Sequence, residues 1–251
     1  MSLFTPLRLG AFYFAACTLL SACQTKPVVP PTQSELENYA AQVQRTAVND
    51  LTVIQQCENL GGSIGMLAVT ARDTWEFSNS HLLAAAESLQ AHQSKDIVHW
   101  QDQAYSLQTL AMVKEASQSR AQSLNLSQRV PSAQKATCER ELRRIETTSY
   151  ADIGADPRLS QALLASTSNT TADFAGVTQI ADQFSPWPEP GRTYFTLKQS
   201  IDKECEANSR IMPLVNRWPD EVYAYFCGDK PISLIECHWV ECTSQAAGRA
   251  N

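Results

Sequence analysis

The sequence predicts a mainly α-helical protein: an up-down-up-down four-helix bundle, followed by a small disulfide-stapled α+β module with a C-terminal β-hairpin. Three observations carry that expectation. Apolar residues recur every three or four positions from Ser34 to about Ser149. Beyond Tyr150 this rhythm gives way to Pro, aromatic residues and short alternating runs. Six Cys fall at or after residue 57, an even number that suits internal cross-links.

The first predicted helix runs from Ser34 to Leu60, with Leu36, Ala40, Val43, Ala47, Leu51, Ile54 and Cys57 on one stripe. Gly61-Gly62 interrupts it. The stripe resumes through Ile64, Leu67, Ala71, Trp75, Leu82, Ala86 and Leu89, then meets the polar break Gln93-Ser94-Lys95-Asp96. A third stripe through Ile97, Trp100, Ala104, Leu107 and Ala111 predicts a third helix, which weakens toward Leu124. After Pro131, the fourth spans about Ser132 to Ser149, with Cys138, Leu142 and Ile145 inward. Short breaks between amphipathic helices favour antiparallel neighbours, so residues 34–150 are read as the bundle. In that topology the first helix ends where the fourth begins, which predicts a Cys57–Cys138 bond.

Residues 151–243 are read as the Cys-rich α+β module. Arg158 to Ala165 and Thr171 to Phe184 have the lengths of short helices, and residues 194 to 211 read as largely helical, carrying Cys205. Ser185-Pro186-Trp187-Pro188-Glu189-Pro190-Gly191 is neither helix nor central strand, because Pro lacks the amide donor. Glu221 to Cys227 and Ile232 to Glu241 flank the turn residues Gly228-Asp229-Lys230-Pro231 and predict the hairpin. Residues 244–251 are read as a flexible tail. A lone hairpin is marginal, and Cys205–Cys227 and Cys237–Cys242 are the favoured staples. A zinc cluster of Cys205, Cys227, Cys237, His238 and Cys242 is the disfavoured alternative, since the spacing lacks paired C-x-x-C knuckles. No metal is expected. No cofactor is expected either: haem, dithiol-redox and phosphate-cradling motifs are missing.

The N-terminus carries the strongest address. One basic residue, Arg8, precedes an apolar run from Leu9 to Leu20, too short to span a bilayer but of the length of a secretory signal. It ends in Leu20-Ser21-Ala22-Cys23, which resembles the lipobox of bacterial lipoproteins. The resemblance implies cleavage of residues 1–22 as a lipoprotein signal peptide and lipidation of Cys23, with palmitate among the acyl chains of such anchors. Gln24, in place of an Asp at that position, implies the outer membrane, with the protein facing the periplasm. Residues 23–33, rich in Pro and polar side chains, then form a tether. An oxidising periplasm agrees with disulfide use.

Charge narrows the function. Lys and Arg number 20 against 26 Asp and Glu, and no dense basic run occurs, which argues against nucleic-acid binding. Gly61-Gly62-Ser63-Ile64-Gly65 matches the G-x-S-x-G of serine hydrolases, but that motif needs a strand before it, and residues 49–59 have a helical period. Ser63 is therefore read as a helix cap and only secondarily as a nucleophile. His81 and His92 are 11 residues apart, too far along a helix to share a metal. Trp187, Trp218, Tyr223, Tyr225 and Trp239 make an aromatic concentration that could be a binding surface or a small core. The leading expectation is a non-enzymatic binding or scaffold protein of the cell envelope, with a membrane anchor and an envelope protein partner. An envelope serine hydrolase using Ser63 and a small-ligand carrier using the aromatic module are the alternatives.

Overall fold

The computed structural model describes residues 29–154, 156–166, 173–201, 205 and 208–248. The expected signal peptide (residues 1–22), Cys23 and most of the expected tether lie outside the described residues, as do Thr171 and the last three residues. Residues 31–251 form one compact unit.

Helix α1 (Gln33–Glu58) opens with a capping box, Thr32 accepting from the Glu35 amide while Glu35 accepts from the Thr32 amide at 2.7 Å. Helix α2 (Gly62–Gln93) follows after a turn in which Gly61 and Gly62 have φ of 66° and 56°, values a side chain would resist. Gly61, not Ser63, is the cap residue of α2, and no side chain caps this end. The apolar stripes predicted for both helices are buried, except that Leu67 and Leu89 of α2 are only partly so, and α1 packs along α2.

The expected third helix is shorter and begins later. Residues 97–106 form a two-residue-loop hairpin, β1 (Ile97–Trp100) with β2 (Gln103–Ser106). Gln101 and Asp102 both have positive φ (50° and 64°), as a primed hairpin turn requires. Ile97, Trp100 and Ala104 therefore sit on strands rather than on a helical face. Ser106 then caps α3 (Leu107–Leu124) by accepting from the Thr109 amide, and Asp96 holds the Ser106 hydroxyl at 3.0 Å and the Gln108 amide at 2.6 Å. Helix α4 (Pro131–Thr147) starts with Pro at its first turn and buries Cys138, Leu142 and Ile145. The Cys57–Cys138 disulfide joins it to the last turn of α1.

Beyond α4 come three short helices, α5 (Pro157–Ala165), α6 (Val177–Phe184) and α7 (Tyr194–Ile201). Helix α7 is shorter than the 194–211 span read from sequence, because residues from Ser209 onward belong to a strand. The predicted hairpin is the centre of a four-stranded antiparallel meander: β3 (Ser209–Arg217), β4 (Asp220–Cys227), β5 (Lys230–His238) and β6 (Glu241–Ala246), in that order. Residues 244–246, read as part of a flexible tail, complete β6, and Gly248 pairs with Ile97 of β1.

The middle of the meander is covered on both faces. Val222, Ala224 and Phe226 of β4 and Leu234 of β5 join the core of the helices, which also takes Leu163, Ile180 and Phe184 from α5 and α6. The alternate residues Tyr223, Tyr225, Ile235 and Cys237 form a second cluster with Ile201, Cys205 and Ile211 beneath α7. This explains the run of six buried residues from Glu221 to Phe226: a strand covered on both sides loses the in-out alternation. The main core therefore draws on residues from both sides of position 150.

Candidate binding groove and aromatic tip

Only the inner half of the sheet face is covered by helices. Its outer half, the β1–β2 tip and the Ser185–Pro188 loop enclose an open groove of about 980 Å³. Strand register sets its wall. Asp220, His238 and Glu241 form one row across β4, β5 and β6, and Val222, Glu236 and Thr243 form the next. His99, Trp100 and Gln101 line the opposite side, and Arg217 lies at the end of β3. Trp100 stacks on Phe184 (centroids 5.8 Å apart), which stacks on Trp187 at 5.7 Å, giving that side an aromatic base. Acidic side chains outnumber the single Arg. His238 Nδ1 is 2.7 Å from Asp220 Oδ1, so their charges partly cancel when the ring is protonated.

At the outer end of the sheet, the β3–β4 and β5–β6 turns present Trp218 and Trp239, 38% and 54% exposed, with rings edge to face at 5.3 Å. Val240 beside them is 77% exposed. The Arg192 guanidinium lies 4.6 Å from the centre of the Trp218 ring. The two turns are fastened together. The Trp239 amide donates to the Pro219 carbonyl at 2.9 Å, and Cys237 and Cys242, opposite each other in register, are disulfide-bonded. This clamp makes an exposed apolar tip rigid, which lowers the entropy cost of a contact made there.

The five aromatic residues singled out by sequence thus separate. Tyr223 and Tyr225 are core residues, 0% and 5% exposed. Trp187 is partly buried, donates to Ser117 Oγ at 3.0 Å and has Lys114 Nζ 5.5 Å from its ring. Trp218 and Trp239 alone form an exposed pair. The groove residues His99, Trp100, Asp220, Glu236, Glu241 and Thr243 carried no motif, because strand register, not sequence proximity, assembles them.

The remaining candidates have no such setting. Ser63 is exposed in the first turn of α2, and its hydroxyl makes no hydrogen bond among the described residues. No base activates it, and the element before it is a helix. His81 and His92 are exposed on α2. Cys205–Cys227 is a disulfide like the other two pairs, so the four Cys of the zinc alternative are consumed. Among the described residues, no three His, Cys, Asp or Glu side chains are grouped to hold a metal.

Besides Asp96, two more buried carboxylates serve the architecture. Asp50, 1% exposed, accepts from Arg144 Nη2 at 2.6 Å and the Tyr150 hydroxyl at 3.0 Å, and Trp75 Nε1 donates to that hydroxyl at 2.5 Å. Burial pushes the Asp50 carboxyl up, and Arg144 offsets part of that shift. Burial, reinforced by the Asp50 charge, also raises the Tyr150 phenol. This network ties α1, α2 and α4 to the chain leaving α4. Glu221 accepts from the Arg192 and Thr193 amides at 2.7 and 3.1 Å, and from the Thr193 and Tyr223 hydroxyls. Burial pushes its carboxyl up, but these donors more than compensate and hold it below its ordinary value. It fixes the chain just ahead of α7. No family model matches the chain, and no curated protein or solved structure is significantly similar to it.

Proposed function

We propose that this protein is an outer-membrane-anchored periplasmic lipoprotein that acts, without catalysis, as a binding or scaffold protein of the cell envelope. The observation that carries the reading is the Trp218–Trp239 tip, exposed beside a wide groove and held rigid by Cys237–Cys242. Trp is the residue type most enriched at interface hot spots. The lipobox-like Leu20-Ser21-Ala22-Cys23 and the Pro-rich residues 23–33 support an anchored, tethered placement.

The helical half is read as the scaffold of this arrangement, an up-down-up-down bundle with β1–β2 inserted between its second and third helices. Packing of α1 on α2 and α3, and of α2 on α4, supports that reading. The small-ligand alternative draws on the groove, whose volume falls in the range of roughly 300–1,000 Å³ common for ligand sites.

The test is a photo-crosslinking residue at Val240 in living cells, with the natural Cys23 and with Cys23→Ser. One defined envelope protein captured by the anchored form, and lost when Trp239→Ala is added, is the expected result. Capture unaffected by Trp239→Ala, or no capture at all, sinks the reading of the tip as a contact surface.

A further inference from the structure

Strand β6 is the free edge of the meander, and all six of its residues are exposed. Its loop contains only Trp239 and Val240, so His238 and Glu241 close the hairpin as a hydrogen-bonded pair, and bonding then alternates along the strand. Glu241, Thr243 and Gln245 direct their backbone groups inward to β5, while Cys242 and Ser244 direct theirs outward. The far end confirms this phase: the Ala247 amide bonds inward to Ile232, and Gly248 bonds outward to Ile97 of β1. Past that bridge β1 and β6 make no further backbone bond to each other among the described residues. The next outward amide of β1, that of His99, is met not by a strand but by the Gln245 side-chain carbonyl at 2.9 Å. The Gln245 side chain thus takes the place of the Ala246 carbonyl, the next acceptor in a continued β1–β6 ladder, and the ladder stops there. Among the described residues, no backbone group pairs with the outward groups of Cys242 and Ser244.

The open edge and the groove are continuous. Glu241 and Thr243 alternate with the outward backbone groups and line the groove, together with Asp220, Glu236 and His99. A chain paired to β6 would place every second side chain into that space. Three carboxylates there face one Arg, Arg217, so the complementary side chains are cationic.

We propose that the free edge of β6 binds an extended basic peptide segment of an envelope partner by strand addition, its alternate Lys or Arg side chains entering the groove beside Glu236 and Glu241. The inference rests on the binding reading above and names the chemistry of the partner.

The test uses the full-length protein in detergent micelles and two pools of eight-residue peptides. Both have Val, Thr or Ser at alternate positions; the positions between carry Lys or Arg in one pool and Asp or Glu in the other. Retention of the basic pool is expected to exceed that of the acidic pool by about tenfold. N-methylation of alternate backbone amides in the retained peptides should abolish retention, since it removes the ladder donors. Ser244→Pro, which deletes an outward donor and leaves the β5–β6 bonds in place, and the pair Glu236→Lys with Glu241→Lys should each reduce retention about tenfold. If Ser244→Pro unfolds the protein, the methylated peptides decide the question without a mutation.

Equal retention of the two pools, or retention indifferent to amide methylation, overturns the proposal. Retention of an N-acetylglucosamine oligosaccharide with neither peptide pool retained also overturns it, in favour of a glycan. Peptide failure with the Val240 crosslink intact removes strand addition alone; failure of both removes the binding reading as well.

Discussion

Trp239 occupies a position its backbone favours for another residue. It is the first of two loop residues between β5 and β6 and has φ of 61°, the place where such a hairpin turn takes Gly. A bulky side chain there costs about 1 kcal/mol or more. Its ring is more than half exposed, so burial recovers little of that cost. Trp239→Gly should therefore unfold at equal or higher denaturant concentration than the natural protein while losing the Val240 crosslink. A clear loss of stability would show instead that the Trp218–Trp239 contact holds the fold. Sequence reading singled out Trp239 as an aromatic but could not separate it from Tyr223, because burial depends on which face of the sheet a side chain meets.

Glu87 is a second residue whose role was illegible in sequence. It lies on α2, yet its carboxylate accepts from the Val177 amide at 2.8 Å, at the N-terminus of α6. A Cβ on Gly176 would collide with that carboxylate. Burial pushes the Glu87 carboxyl from 4.5 to about 7, against the opposing effect of the α6 amides. The folded state thus holds this proton more tightly than the unfolded state. The stabilisation is complete below about pH 4.5 and is lost as pH rises through 7. Glu87→Gln should remove that slope, leaving a variant about 3 kcal/mol more stable than the natural protein at pH 8 and nearly equal to it at pH 4.5. Denaturant midpoints across this range are the measurement, and a parallel pH dependence for the two proteins would refute the assignment.

At the scale of elements, α6 and α7 are eight residues each, too short to persist without tertiary support. Glu87 and Glu221, from other elements, meet the backbone amides at or just ahead of their first turns. Sequence periodicity made both helices longer than they are because it does not register where such outside support acts. The same limit applies to β1–β2: Ile97, Trp100, Ala104, Leu107 and Ala111 satisfy a helical spacing, yet Gln101-Asp102 turns the chain back and Ser106 starts a new helix. The three disulfides depend on which Cys the packed elements bring together, not on any local period. They make a contrast that can be measured. Cys57–Cys138 closes an 81-residue separation and Cys237–Cys242 one of 5, so chain entropy predicts losses of about 4 and about 2 kcal/mol when each pair becomes Ala. The first change should lower stability and leave the crosslink intact. The second should do the reverse in emphasis, loosening the tip that carries Trp239.

For the whole molecule, the question is whether the helices and the meander are one folding unit. Composition changes at Tyr150, and that change predicts a boundary between residues 34–150 and 151–243. Tyr150 itself is fully buried: its amide donates to Asn79 Oδ1 at 2.8 Å and its carbonyl accepts from the Tyr39 hydroxyl at 2.8 Å. Helices α5 and α6 pack on α1 and α2, and β4 and β5 contribute Ala224, Phe226 and Leu234 to the same core. Linkers between independent domains are exposed and cross few contacts, whereas this junction is enclosed. The full chain should therefore unfold in one calorimetric transition, with calorimetric and van't Hoff enthalpies equal. Asp50→Ala, which leaves Arg144 and Tyr150 without their shared acceptor, should destabilise that single transition by about 3 kcal/mol or more and lower the melting of the meander with that of the helices. Two transitions, with only the first moved by Asp50→Ala, would restore the boundary at 150. A single unit has a mechanical consequence: the groove and the aromatic tip would be carried on the same body as α1, with no hinge between the helices and the meander.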